Sequence, residues 1–154
     1  MRYRRTLLVV MAALVVGSSM PAYGQLEIGT WVRQVTPQTP QEMTLTIEAC
    51  CGSGRRLTYH VRAGSTAMTM VVETRLDGAD APVLMNGAPS GETMAITRLD
   101  ATHASAVLKM KGVAFGTSRG TLSADGKTLT VINEYTTTAG GNPVGKVTEV
   151  WMKK

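Results

Sequence analysis

Thirty-one residues, Ala104 to Glu134, limit the fold of this chain more than any other stretch. Ala104, Ala106, Leu108 and Met110 alternate with Ser105, Val107 and Lys109; Val113, Phe115, Thr117 and Arg119 alternate with Ala114, Gly116 and Ser118; Leu129, Val131 and Asn133 alternate with Thr128, Thr130 and Glu134. Side chains on a strand point to opposite faces in turn, so this period of two specifies three strands, each with one face to bury. Lys111-Gly112 and Ala124-Asp125-Gly126-Lys127 join them. Gly accepts the positive φ of a tight hairpin without a Cβ clash. The segment is therefore a meander, and its apolar face needs a partner from the rest of the chain.

The same alternation runs through the remainder. Gly29 to Arg33 opens as a strand, and Thr36 to Gln41 (TPQTPQ) connects, because proline lacks the N–H a ladder needs. Met43, Leu45 and Ile47 form one arm of a hairpin, Leu57, Tyr59 and Val61 the other, with the turn at Cys51 to Gly54. Met68, Met70 and Val72 follow, then a turn at Asp77-Gly78 and a short strand near Pro82 to Met85. Asn86-Gly87 with Pro89 reads as a looser loop before Met94, Ile96 and Arg98, and Val144 to Met152 is the last strand. No stretch holds a helical period. About nine or ten short strands with regular turn signals define an all-β chain, and consecutive hairpins favour an antiparallel up-and-down β-barrel, whose closure removes exposed edges.

The first 24 residues stand apart. Arg2, Arg4 and Arg5 precede the apolar run Thr6 to Gly17, and Ala22 and Gly24 are small residues at the −3 and −1 positions of a cut before Gln25. That is the pattern of a secretory signal peptide, and the run falls short of the ~20 residues of a membrane span. The expected organisation is a signal peptide over 1–24 and one barrel domain over 25–154, secreted, in a bacterial periplasm, with no stable membrane span after cleavage. Cleavage removes three arginines, taking basic residues from 16 to 13 against 11 acids and the net charge from +5 to +2. A nearly balanced surface offers no footprint for nucleic acid, and a monomer is expected.

Catalytic apparatus is not visible. There is no GxSxG elbow, HExxH helix or glycine-rich phosphate loop, and no carboxylate pair for acid–base hydrolysis. His60 and His103 fall on the polar parity or a turn edge and read as solvated. With only two histidines a zinc site would need both, so neither a metal nor another cofactor is expected. Cys50-Cys51 leaves four readings open: a vicinal disulfide, two thiols, an interchain link or a metal site.

Two charges sit on apolar parity. Arg98 continues the face of Met94 and Ile96, and Arg119 that of Val113 and Phe115. Either these guanidiniums meet a ligand's carboxylate in a cavity, or they reach water at strand ends or pair with Glu149. Seven of the ten methionines, Met43, Met68, Met70, Met85, Met94, Met110 and Met152, fall in or beside strands. Methionine fills irregular space, which suits an adaptable lipophilic cavity or a plain core equally.

Gly29-Thr30-Trp31 resembles the GxW signature of lipocalins and the opening of fatty-acid-binding proteins. The segment from ETMAITRLDATHASAVLKMKG through LSADGKTLTV to EVWMKK is similar to small secreted bacterial lipocalin-like proteins. The resemblance implies a barrel with a ligand cavity, Trp31 closing its floor, and Lys146 or Lys153 nearest the family's final-strand arginine. TPQTPQ leaves no room for a helical lid. The expected function is binding of a small lipophilic ligand with a carboxylate head group, without catalysis; the alternative is an envelope interaction module with a packed interior. Strand parity makes the wall Leu45, Tyr59, Met68, Met70, Met94, Leu108, Phe115 and Val131, with Arg98 and Arg119 as its cations.

Overall fold

The computed structural model describes residues 25–154; the expected signal peptide lies outside them. Ten strands run in chain order: β1 Gly29–Arg33, β2 Glu42–Cys50, β3 Gly54–Ala63, β4 Thr66–Thr74, β5 Asp77–Met85, β6 Ala88–Arg98, β7 His103–Met110, β8 Val113–Leu122, β9 Thr128–Tyr135 and β10 Gly145–Lys153. Each pairs antiparallel with its sequence neighbours, and β1 also pairs with β10, closing an up-and-down barrel. No helix occurs among the described residues, as the sequence period requires.

Turn chemistry sets the register. Asn86-Gly87 (φ 48° and 82°) and Lys111-Gly112 (φ 49° and 82°) are two-residue turns with both central residues left-handed, the geometry that matches strand twist. Asn86-Gly87 is thus tighter than the loop expected there, and its Oδ1 accepts the Thr69 N–H at 2.9 Å. Asp77-Gly78 is not the turn between β4 and β5. That turn lies at Arg75-Leu76, with Leu76 at φ 62°, and Gly78 instead sits in a bulge of β5.

One end of the barrel is sealed. Trp31, Leu45, Ile47, Leu122 and Trp151 form an apolar cluster there, with both tryptophans at most 1 % exposed. A second cluster, Val72, Ala81, Val83 and Ile96, packs along one wall. The connection over residues 34–41 and the β9–β10 loop over 136–144 lie at the opposite end.

Candidate ligand cavity

The interior above the tryptophan floor is not filled. It holds a cavity of about 460 Å³, within the usual range of small-molecule sites. Leu45, Tyr59, Met68, Met70, Met94, Leu108, Phe115 and Val131 all line it, because strand parity turns them inward. Met43, Leu57 and Met85 add to the same apolar wall.

The two arginines part company. Arg98 lies at the cavity's floor end, where its guanidinium pairs with the Glu27 carboxylate. Arg119 does not reach the cavity; it is exposed on the outer wall. The cause is a bulge. Leu108 pairs with Gly116 but Lys109 pairs with Ala114, so β8 spends an extra residue, Phe115, against β7. Beyond the bulge the parity inverts: Ser118 and Gly120 line the cavity, while Thr117 and Arg119 turn outward.

The floor carries more charge than the parity of Arg98 suggested. Arg55, on the inward face of β3 with Leu57 and Tyr59, donates from Nε to Glu27 Oε1 at 2.9 Å. One carboxylate therefore holds two guanidiniums. The Glu27 segment is itself latched, since Trp31 Nε1–H donates to the Glu27 carbonyl oxygen at 2.8 Å. Lys153 completes the seal, its Nζ lying 5.3 Å from the centre of the Trp31 ring and donating to the Leu26 carbonyl at 2.7 Å.

A second polar group sits toward the open end. Arg33, two residues beyond Trp31 on the same face, is 6 % exposed and pairs with Glu149 at 2.6 Å. Its Nη2 donates to the Gln41 carbonyl at 2.8 Å, pinning the end of the 34–41 connection. Trp151 Nε1 donates to the other Glu149 oxygen at 3.3 Å, and the Tyr59 ring meets Trp151 edge-on at 6.1 Å between centroids. Tyr135 stacks on Phe115, with ring planes 9° apart.

These neighbours set the protonation of the phenols. Burial, then the Glu149 carboxylate, pushes the Tyr59 phenol far above its ordinary range. Burial, then Glu149 and Glu92, pushes Tyr135 up to about 12, with Arg33 opposing. Burial also raises the Glu92 carboxyl. At neutral pH both phenols are therefore hydroxyl donors.

The other sequence candidates lie outside the cavity. Cys50 and Cys51 are disulfide-bonded to each other at the β2–β3 turn. His60 and His103 are exposed. His103 faces Asp100, whose carboxyl is held down to about 2, first by the Thr102 backbone N–H and then by His103. Among the described residues no cluster of His, Cys, Asp and Glu is arranged to hold a metal ion. Nor is any helix there long and apolar enough to cross a membrane.

Sequence parity missed Arg33, Tyr135 and the Glu27–Arg55 pair, and it offered Glu149 to Arg98 or Arg119 where the structure pairs it with Arg33. The signal was present for Arg33 and Arg55, which share parity with Trp31 and Leu57. Glu27 precedes any strand, so no parity marked it. The fold and interior define the class: a closed ten-stranded antiparallel barrel around a cavity, consistent with a calycin-like fold. Comparison with protein-family models, curated proteins and solved structures returns no match to the chain.

Proposed function

We propose that this protein is a lipocalin-like binding protein, without enzymatic activity, that holds a small lipophilic molecule inside its barrel. The observation that carries this reading is the cavity of about 460 Å³ walled by methionine, leucine and aromatic side chains. Such a wall favours an apolar body without fixing its orientation, and methionine adapts to varied shapes. A packed-interior interaction module would need that space filled. The N-terminal pattern of Arg2, Arg4, Arg5 and the following apolar run supports export to a bacterial envelope. The carboxylate head group is less well supported: Arg119 faces away, and at Arg98 an incoming carboxylate competes with Glu27.

The test is titration with N-phenylnaphthylamine, whose fluorescence rises in apolar surroundings. The protein should take it up saturably. Ala106→Phe places a ring in the space beside Leu108 and should abolish uptake while the β spectrum persists. Absence of uptake by the folded parent, or uptake indifferent to the added ring, would reject an internal site.

A further inference from the structure

The donors and acceptors around the upper cavity are unequal in number. Arg33 Nη1 pairs with one Glu149 oxygen, and Trp151 takes the second. Arg33 Nε and Thr93 Oγ1 are buried with no hydrogen-bond partner. The hydroxyls of Tyr59 and Tyr135 belong to cavity-lining residues, and among the described residues neither has a protein partner. Neither hydroxyl is among those buried atoms, so both open onto the cavity space and are available to donate to a ligand's acceptor.

The charges restrict what that acceptor is. Arg33 and Glu149 neutralise each other, which leaves the Glu92 carboxyl as the charge an anionic head group would face there. Like charges in a poorly hydrated site repel strongly. Both rings are also held in place, Tyr59 against Trp151 and Tyr135 against Phe115, so little orientational freedom is lost when a ligand arrives.

We infer that the upper cavity receives an uncharged carbonyl oxygen, of a ketone, ester or amide, from the Tyr59 and Tyr135 hydroxyls, so that the cavity selects neutral carbonyl lipophiles over fatty acids. This rests on the cavity being a lipophile site. It reverses the head-group preference that Arg98 and Arg119 suggest from sequence.

The experiment displaces N-phenylnaphthylamine from the full chain with a methyl ketone, a carboxylic acid, an amine and an alkane of matched chain length. It is repeated on Tyr59→Phe, Tyr135→Phe and the double variant. The ketone should compete about tenfold better than the alkane, the scale of one net hydrogen bond, and better than the acid or the amine. The double variant should erase the ketone's advantage and leave alkane competition unchanged, which shows that its cavity is intact. An acid or amine that matches or beats the ketone overturns the inference, as does a ketone advantage surviving in the double variant. In those cases the lipophile site itself stands, because the alkane still competes. Failure of the parent to bind the probe at all removes both.

Discussion

Truncating Trp31 to alanine tests whether the floor is a structural seal. The ring is fully buried among Leu45, Ile47, Leu122 and Trp151. Removing a large buried aromatic costs about 3–5 kcal/mol in lost transfer energy and residual void. The variant also orphans the Glu27 carbonyl, which now accepts the indole N–H at 2.8 Å, adding roughly 1 kcal/mol. The void opens beneath an existing cavity, so the surrounding chain has little reason to collapse into it. The loss should therefore fall in the upper part of that range. Trp31→Phe keeps a buried aromatic ring but loses the donor and part of the bicycle, and should cost about 1–2 kcal/mol. Urea unfolding followed by far-UV dichroism, with Trp151 fluorescence as a second probe, reads both values. A loss below ~0.5 kcal/mol for Trp31→Ala is the scale of a surface change and would refute the seal.

The phenols and the loop over the mouth give two more tests. Subtracting the alkaline phenolate absorbance titration of Tyr135→Phe from that of the parent should show no ionisation near the ordinary value of 10.0 and a step at about 12. Because the folded value is raised, the matching stability contribution is complete below about pH 10 and is lost as pH climbs toward 12; a difference step at the ordinary value would show that Tyr135 is not enclosed. At Gly140, in the loop over 136–144, an added Cβ would press into the Phe115 ring, 2.6 Å from Cζ. Gly140→Val should therefore displace loop or ring, cost about 1–3 kcal/mol and speed release of N-phenylnaphthylamine in stopped flow. Unchanged stability and release would mean the loop does not cover the mouth.

The barrel was legible because its signal is repeated in every strand. About nine or ten runs of period two, most of them separated by Gly-containing turns, leave an all-β up-and-down order as the consistent solution, and parity alone brought eight apolar residues to the inner face. Where the pattern breaks, it breaks for local reasons. The β8 bulge adds one residue at Phe115 and inverts everything beyond it, so Arg119 lands outside although its spacing from Val113 and Phe115 is regular. Nothing in VAFGTSRG marks which residue will be unpaired; the partner strand decides that. Glu27 was illegible for another reason, since its role depends on meeting Arg55 and Arg98 from strands far along the chain.

Whether the interior is open or packed turns on residues that carry no obvious signal. A barrel of ten strands is wider than one of eight, and filling it takes bulky side chains from every wall. This chain has a single phenylalanine, and its two tryptophans are both committed to the floor. On β7 and β8, apart from Leu108 and Phe115, the inward face carries Ala104, Ala106, Ser118 and Gly120, all small residues. The methionines and leucines opposite cannot span the remaining gap, so the cavity survives above the floor. The bulge contributes directly, because it brings Ser118 and Gly120 to the inner face in place of Thr117 and Arg119. The same local irregularity that removes a cation from the interior thus also helps keep the interior open. A cavity made in this way gains volume on one wall and keeps its charged groups near its ends, Glu27, Arg55 and Arg98 at the floor and Arg33 and Glu149 above. That is the environment for a ligand whose body is apolar and whose recognition is confined to one terminus.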